Sequence, residues 1–327
     1  VSAPTSQFDV LCAGIIVADH VCAPVARMPP AGGLEMTDRI ELAIGGCASN
    51  VAVDLSRLGL RVCVAGRVGD DVHGRHVVSA LQAEGVAGDQ ITFSRTAQTA
   101  STLVVNVRGE DRRFIHAAGA NAEFTGREVS ADAIRNSRAL YVGGVGINAA
   151  LSGENVAALF QIARDAGVLT VLDVVCARPD VAQMLAPVLP LTDLFLPNRD
   201  EGELMTGLSD PVEQAQHFHR QGVGCTVVTC GKEGAVLCDA NGTIRSRAYE
   251  VPQIDATGGG DAFVAGFLYG RLHERNVEEC LKLGSAMGAS CVQSAGATTG
   301  VFRAPELEAF VAEQSLSIAE SLASRHR

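Results

Sequence analysis

The sequence has too little positive charge to form a nucleic-acid-binding surface. Its 327 residues include 26 lysines and arginines against 37 aspartates and glutamates, which gives a net charge of -11. Binding to a duplex depends on clustered basic side chains that neutralise phosphates, so we expect no nucleic-acid partner. An anionic substrate would have to be met by a few basic residues that the fold collects locally.

The sequence also lacks membrane-spanning segments and two common nucleotide-binding motifs. No apolar run reaches the roughly 18 residues of a membrane helix, and residues 1–7 lack the basic and apolar regions of a secretory signal. We therefore expect no membrane association. Neither the Gly-x-Gly-x-x-Gly fingerprint of dinucleotide-binding enzymes nor the Gly-x-x-x-x-Gly-Lys-Ser/Thr P-loop occurs. These absences argue against a dehydrogenase and against a P-loop NTPase.

The cysteines do not form a disulfide or metal-binding pattern. There are 10 of them, without a Cys-x-x-Cys pair, and most lie in apolar, strand-like segments such as 62–64 and 236–238. This placement is typical of reduced core residues, and we expect a cytoplasmic protein. Cys47 has a second interpretation as a nucleophile, although a small residue is sufficient at its position.

Apolar runs alternate with helical patterns through most of the chain. The strand-like runs include residues 139–142, 168–172, 194–196 and 226–228, and residues 156–163 have helical spacing. This alternation predicts a parallel sheet with helices on both faces. Three glycines that follow helical runs are expected to cap them, Gly59, Gly85 and Gly167. Residues 305–327 are predicted to form a surface helix that buries Leu307, Phe310 and Val311.

Two segments interrupt the alternation. Residues 15–44 contain several prolines and glycines, and residues 99–117 alternate, turn at 109–111 and return, which predicts a hairpin. We assign both segments, 15–44 and 99–117, to one small β-sheet. The large α/β domain then consists of residues 8–14, 45–98 and 118–327.

A glycine-rich turn is the most informative feature of the chain. Residues 255–261 are Asp-Ala-Thr-Gly-Gly-Gly-Asp, and the apolar residues that follow have helical spacing. Three glycines let several backbone N–H groups converge at a helix N-terminus, where an anion is stabilised. Gly258, Gly259 and Gly260 are therefore expected to form an anion hole, with Asp261 as a general base. The alternative is a plain glycine-rich loop in which Asp261 only begins a helix.

A second glycine motif favours the anion hole over the plain glycine-rich loop. Residues 45–52 are Gly-Gly-Cys-Ala-Ser-Asn-Val-Ala, followed by Gly59 and Gly69. Together the two motifs resemble the paired signatures of the PfkB, or ribokinase-like, family of carbohydrate kinases, with a mild departure at Ala256. Smaller landmarks of the family are matched in order between them, by residues 69–74, 119–121, 198–201 and 229–234.

The resemblance implies a fold and an activity. The fold would be a three-layer α/β/α arrangement with a mainly parallel central sheet and a small β-sheet lid, and the protein would be a homodimer that associates through the lid. The activity would be ATP-dependent phosphorylation of a hydroxyl on a sugar or sugar-like molecule. A nucleoside kinase and a catalytically inactive nucleotide- or sugar-binding protein remain alternatives, and the intact Asp261 argues against the inactive one.

The resemblance also implies roles for individual residues. The substrate-binding residues would be Asp19, Gly45, Gly46, Asn50 and Asn121. A carboxylate at Asp19 can accept hydrogen bonds from two neighbouring hydroxyls, although Asp19 also suits a turn at a strand end. The nucleotide-binding residues would be Asn198, Thr229, Gly231, Gly234 and Thr257.

Two metal ions are implied as well. Glu201 would act on Mg²⁺ through a water molecule, although Asn198 and Glu201 also fit the capping box of a helix. Asp255 and the 291–300 loop would hold a monovalent cation such as K⁺.

The substrate is less clearly indicated than the reaction. Ribokinases typically have Asn where this chain has Val17, Lys where it has Cys47, and a Glu at the strand end where it has residues 143–145. We therefore do not expect ribose, and favour another unphosphorylated sugar or a nucleoside-like molecule, with sugar acids and phosphosugars still open. Arg112 and Arg113 on the hairpin would meet an anionic substrate or would simply form a solvated face.

Overall fold

The computed structural model of the protein describes residues 7–110, 112–175 and 180–321. The strands are β1 Phe8–Gly14, β2 Val17–Val25, β3 Ile40–Gly45, β4 Val62–Gly69, β5 Ala87–Ser94, β6 Ser101–Val107, β7 Arg113–Ala117, β8 Ser137–Val145, β9 Leu169–Val174, β10 Leu194–Phe195, β11 Cys225–Thr229, β12 Ala235–Asp239, β13 Gly242–Ser246 and β14 Ile318–Ser321. The helices are α1 Cys47–Arg57, α2 Val72–Ala83, α3 Ala131–Arg135, α4 Gly153–Asp165, α5 Val181–Leu185, α6 Arg199–Thr206, α7 Pro211–Arg220, α8 Gly259–Leu272, α9 Val277–Cys291 and α10 Ala304–Glu313.

Ten strands of the described chain form one large sheet, in the order β14-β13-β12-β11-β10-β9-β8-β1-β4-β5. From β11 to β5 the neighbouring strands are parallel, whereas β12, β13 and β14 continue the sheet with antiparallel pairs. The α/β fold class with a mainly parallel central sheet is thus confirmed. The carboxyl ends of its parallel strands lie at one edge, where binding sites of such sheets are found.

The apolar composition of the central strands explains their position. Along β1, Val10 and Cys12 belong to one hydrophobic cluster, and Leu11 and Ala13 belong to a second. A strand segment that is buried on both faces is apolar at successive positions, which is why residues 10–13 of β1 do not alternate. Helices α1, α8 and α9 contribute to the first cluster and α3 and α4 to the second, so helices cover both faces of the sheet.

A smaller sheet stands apart from the large one, with the strand order β3-β2-β6-β7. Strands β6 and β7 are the antiparallel hairpin expected for residues 99–117, although Asp111 in its turn lies outside the described residues. Asp71 connects this sheet to the large one. Its carboxylate caps α2 at Gly74 N and also accepts hydrogen bonds from the backbone N–H and the hydroxyl of Thr99, each at 2.7 Å.

The C-terminal helix is shorter than the sequence predicts. Helix α10 ends at Glu313, and residues 318–321 form β14, which pairs with β13 at the edge of the sheet. The prediction of a helix over residues 305–327 was therefore wrong for residues 314–321, and residues 322–327 lie outside the described part. Serines at 315 and 317 disfavour a helix, while pairing satisfies the backbone groups of the β13 edge. The predicted burial of Leu307 is confirmed.

Among the described residues, no helix combines the length and the hydropathy that a membrane span requires. The nine cysteines in this part of the chain are free thiols.

Candidate active site

The glycine turn lies at the N-terminus of α8. Gly258 has φ 78°, in the left-handed region, and a Cβ there would lie 2.2 Å from the carbonyl oxygen of Ala297. Both the dihedral angle and the contact therefore require glycine at this position. At Gly260 no described atom lies within 4 Å of a Cβ position, so the first turn of α8 faces open space. This geometry leaves the N-terminal N–H groups of the helix available to an anion.

The two glycine motifs meet at Asp261. The side-chain amide of Asn50, on α1, donates a hydrogen bond of 2.8 Å to Asp261 Oδ2, on α8. Burial raises the pKa of Asp261, and hydrogen bonds from Asn50 and the Cys47 thiol partly offset that rise. A carboxylate with a raised pKa is a stronger base, and these donors hold it in one orientation.

A thiol and a second carboxylate stand beside the candidate base. The ligand atoms of Cys47, Asp173 and Asp261 all lie within 4.8 Å of one another. Burial, and then the neighbouring carboxylates of Asp261 and Asp173, raise the pKa of Cys47 well above its ordinary value. Cys47 is therefore a neutral thiol at neutral pH, which argues against its interpretation as a nucleophile.

Asp173 is a site residue that the sequence analysis missed. It is buried near the carboxyl end of β9, and the hydroxyl of Tyr141, on β8, donates a 2.7 Å hydrogen bond to its Oδ2. Burial, and then the charge of Asp261, raise the pKa of Asp173 well above its ordinary value. A single acidic residue at the end of an otherwise apolar strand was the available signal, because such a side chain is buried only where it has partners.

The predicted acceptor residues gather where the small sheet meets α1. Asp19, on β2, is buried beside Gly45, and a Cβ at Gly45 would lie 2.0 Å from Asp19 Oδ2. Gly45 is thus required to make room for the Asp19 carboxylate. Burial raises the pKa of Asp19 to about 6, with a small further contribution from Asp261 and an opposing one from a hydrogen bond with Thr102. Gly46, with φ 90°, follows directly and begins α1.

Asn121 lies close by, and its side chain forms hydrogen bonds with the backbone of Ile16. Its Oδ1 accepts a hydrogen bond from Ile16 N at 3.2 Å, and its Nδ2 donates to Ile16 O at 3.0 Å. These two bonds fix the segment between β1 and β2, immediately before Asp19. The geometry therefore supports Asn121 as a residue that positions Asp19.

Four of the five predicted nucleotide residues line a cavity of about 360 Å³ next to the glycine turn, and Thr257 is not among its lining residues. Thr229 at the end of β11, and Gly231 and Gly234 after it, lie on one side of the cavity, and Gly259 and Gly260 lie on another. A Cβ at Gly234 would lie 1.9 Å from Ser246 O, so this loop can approach β13 only with glycine there. Lys232 and Arg112 also line the cavity, which provides the local positive charge that an acidic protein needs to bind an anion.

Asn198 and Glu201 form the capping box that their spacing allows. Asn198 Oδ1 accepts from Glu201 N at 2.9 Å, and Glu201 Oε2 accepts from Asn198 N at 3.0 Å. Asn198 lines the cavity, and the charge of Glu201 is among the causes that raise the pKa of Asp173. The carboxylate of Glu201 therefore belongs to the same acidic side of the site as Asp173 and Asp261.

The carboxylate of Asp255 organises the turn before α8. Its Oδ1 accepts from Thr257 N at 2.9 Å and from Thr257 Oγ1 at 2.7 Å, and its Oδ2 accepts from Gly296 N at 3.0 Å. The backbone N–H and the hydroxyl of Thr257 are therefore both used as donors within the turn. Of the two hairpin arginines, Arg112 reaches Asp255, with 3.9 Å between Nε and Oδ1, whereas Arg113 pairs with Glu110 at the surface.

Comparisons with known proteins identify the family of the chain. The family model described as pfkB family carbohydrate kinase matches residues 7–303. A ribokinase from Haemophilus influenzae is 29% identical over 297 residues, covering 88% of this chain and 93% of that protein. A 5-dehydro-2-deoxygluconokinase from Bacillus licheniformis is 25% identical over 322 residues, covering 94% of this chain and 97% of that protein. The structure of Arabidopsis thaliana ribokinase complexed with ribose and ATP matches with a TM-score of 0.81 at 23% identity, covering 93% of this chain and 98% of that one.

Proposed function

Because the chain belongs to the pfkB family of carbohydrate kinases, we propose that it transfers the γ-phosphoryl group of ATP to a hydroxyl of a small, unphosphorylated sugar. The hydrogen bond between Asn50 and Asp261 carries this proposal. It brings an acceptor-side residue and the candidate base together at the first turn of α8, next in sequence to Gly259 and Gly260, which line the cavity. The relatives named as ribokinase and 5-dehydro-2-deoxygluconokinase support a sugar as the acceptor.

Asp261 acts as the general base of the reaction. The acceptor hydroxyl oxygen forms a bond to the γ-phosphorus, its proton passes to the Asp261 carboxylate, and the bond to the bridging oxygen of ADP breaks. The N–H groups of Gly259 and Gly260, at the start of α8, stabilise the charge on the phosphoryl oxygens during the transfer. Gly258 provides the left-handed turn that lets these groups point toward the cavity.

The acceptor lies between Asp19 and Asp261. Asp19 accepts hydrogen bonds from two neighbouring hydroxyls, and Asn50 offers a buried Oδ1 that has no hydrogen-bond partner among the described residues. A sugar hydroxyl that donates to this oxygen would satisfy it, so a polyol suits the site better than an apolar alcohol. Gly45 and Gly46 keep the backbone close to the acceptor, and Asn121 fixes the segment that carries Asp19.

The nucleotide occupies the cavity between β11 and α8. Val251, Ala289 and Val292 provide an apolar wall for the base, and Thr229, Gly231 and Gly234 shape the loop beside it. Asn198 lies toward the phosphates, where Lys232 supplies charge, and Thr257 acts through the turn that it forms with Asp255. A volume of about 360 Å³ falls within the range of small-molecule sites.

Mg²⁺ fits the acidic side of the site, next to Asn198 in the wall of the cavity. Glu201 is held by its capping box with Asn198, which orients its carboxylate. An ion that keeps most of its water shell needs only such a neighbour together with the phosphates of the nucleotide. When bound, Mg²⁺ neutralises charge on the phosphates, and Glu201 would hold one of its water molecules.

The small sheet is the surface that we propose for homodimer formation. Large apolar side chains are exposed on one face of the sheet, on three of its four strands, namely Ile40, Leu103 and Ile115. Contiguous exposed apolar area on a globular protein commonly marks an interface. Light scattering after size exclusion should give the mass of a dimer for the wild type and of a monomer for Ile115→Glu.

A panel of acceptors tests the proposed reaction. Sugars, sugar acids, phosphosugars and nucleosides are each assayed for ADP release with Mg-ATP. We expect ADP release that depends on an added sugar with two neighbouring hydroxyls. Nucleotide binding without turnover for every acceptor would contradict the proposal and support the inactive binding protein, and turnover confined to nucleosides would support the nucleoside kinase.

A further inference from the structure

Arg112 brings a positive charge from the small sheet to the glycine turn. It immediately precedes β7, its Nε lies 3.9 Å from Asp255 Oδ1, and its guanidinium lies 5.4 Å from the centre of the Phe114 ring. The side chains of Arg112 and Asp255 are only 22% and 3% exposed. An ion pair so shielded from water is stronger than a surface pair, and removal of one partner leaves the other charge uncompensated.

The carboxylate of Asp255 is also held by hydrogen bonds from neighbouring residues. Both of its oxygens accept hydrogen bonds, from Thr257 N and Oγ1 and from Gly296 N. These bonds join the turn before α8 to the loop that follows α9. These hydrogen bonds already order the loop, so it needs no additional ligand. The negative charge of Asp255 still needs a positive charge nearby.

Three carbonyl oxygens of the turn and of this loop are engaged as well, those of Thr257, Ala297 and Thr298. The thiol of Cys291 lies 3.1 Å from Ala297 O and 3.3 Å from Thr257 O, within donor distance of both. The guanidinium of Arg57 donates to Thr298 O and is itself held by Glu84, with 2.9 Å between Nε and Oε2. A resident monovalent cation would need several free oxygens at this place, so these residues do not fit one.

We propose that Arg112 is the built-in cation of the glycine turn, which compensates the charge of Asp255, positions the turn for phosphoryl transfer and makes turnover independent of K⁺. The inference rests on the proposed kinase activity. Arg112 is a positioning residue, because it acts on the anion hole through Asp255. The ion pair also joins the small sheet, which carries Asp19, to the turn that precedes Asp261. It thereby links the part of the site that binds the acceptor to the part that binds the phosphates.

The test compares Arg112→Gln with Arg113→Gln in the full chain. Arg113 is a matched control, since it lies on the same hairpin and loses the same charge but pairs with Glu110 at the surface. kcat and both KM values are measured in KCl and in tetramethylammonium chloride at equal ionic strength. We expect the wild type and Arg113→Gln to have equal kcat in both salts. We expect Arg112→Gln to lose at least about tenfold in kcat in both salts, because K⁺ finds no free oxygens at this place, and Arg112→Lys to regain part of the loss in both.

Thermal unfolding without substrates supplies a readout that does not require turnover. Tm is expected to be equal in the two salts for the wild type and for both Gln variants, and to be lower for Arg112→Gln than for Arg113→Gln, because the buried charge of Asp255 is then uncompensated. A K⁺-specific rise in the Tm of the wild type, K⁺ activation of wild-type kcat, or identical behaviour of the two Gln variants would overturn the inference. If no acceptor supports turnover, the proposed function fails while the Tm comparison still decides the role of Arg112.

Discussion

Asn50 donates its 2.8 Å hydrogen bond to Asp261 across 211 residues of sequence. The bond joins the first turn of α1 to the first turn of α8, so two helix N-termini converge on the candidate base. Desolvation at this place raises the pKa of Asp261, and the Asn50 amide keeps the carboxylate turned in one direction. A base held between two helix N-termini is well placed to take a proton from a hydroxyl that attacks a phosphoryl group.

The pH dependence of acceptor binding should follow Asp19. Its carboxyl has a pKa of about 6, so lowering the pH through this value protonates it and removes hydrogen-bond acceptors from the pocket. Between about pH 7 and about pH 5 the KM for the acceptor should rise about tenfold, as the ionised fraction falls. Asp19→Ala should reduce kcat/KM by about tenfold or more and remove this dependence.

The KM for ATP is the internal control for Asp19, because the nucleotide cavity is lined by other residues. An acceptor KM that does not change with pH in the wild type, or an unaltered kcat/KM in Asp19→Ala, would remove Asp19 from the site.

Gly260→Val tests the anion hole. Since no described atom lies within 4 Å of a Cβ position at Gly260, the new side chain should not disturb the fold. It would instead occupy the space where the phosphoryl group is transferred, and a displacement of about 1 Å in such a group costs on the order of 10²-fold in rate. Steady-state kinetics should show this loss in kcat with an unchanged Tm. Wild-type kinetics in Gly260→Val would exclude the anion-hole assignment.

Asp54 should make the protein less stable as the pH rises. It is 0% exposed on α1, and neither of its carboxylate oxygens has a hydrogen-bond partner among the described residues. Burial raises its pKa in the folded state well above the ordinary value of 3.8, so its contribution to stability is complete below that value and is lost as the pH rises through the folded-state pKa.

Asp54→Asn and Asp54→Ala both remove this titration, the first with nearly the original volume. The fall in Tm between about pH 5 and about pH 8 should therefore be smaller in both variants than in the wild type. The same fall in all three proteins would show that Asp54 is not the source of the pH dependence.

Several parts of this account could be predicted from the sequence, and others depended on tertiary contacts. The central sheet was predictable because strand segments buried on both faces, such as residues 10–13 of β1, are apolar at successive positions. The order of the motifs indicated the family, which the comparisons confirmed. The end of α10 was not predictable, because β14 forms only where the edge of β13 is available to it.

Within the site, the positions of single side chains were the hardest to predict. Asp173 has no spacing motif of its own, and its importance follows from its distance to Asp261 and its bond with Tyr141. Arg112 and Arg113 are equivalent in sequence, yet the hairpin turns one toward Asp255 and the other toward Glu110. Such differences depend on how the two sheets are placed, which local patterns do not encode.

The most direct measurement of the central claim is the ADP-release rate of Asp261→Asn with Mg-ATP and a saturating acceptor. The isostere keeps an oxygen that can accept from Asn50 and removes only the proton acceptor, so kcat should fall about 10²- to 10⁴-fold while both KM values stay nearly unchanged. Asp132→Asn, at a side chain that is 85% exposed on α3, should retain the wild-type rate. Most of the wild-type kcat in Asp261→Asn would contradict the assignment of Asp261 as the general base.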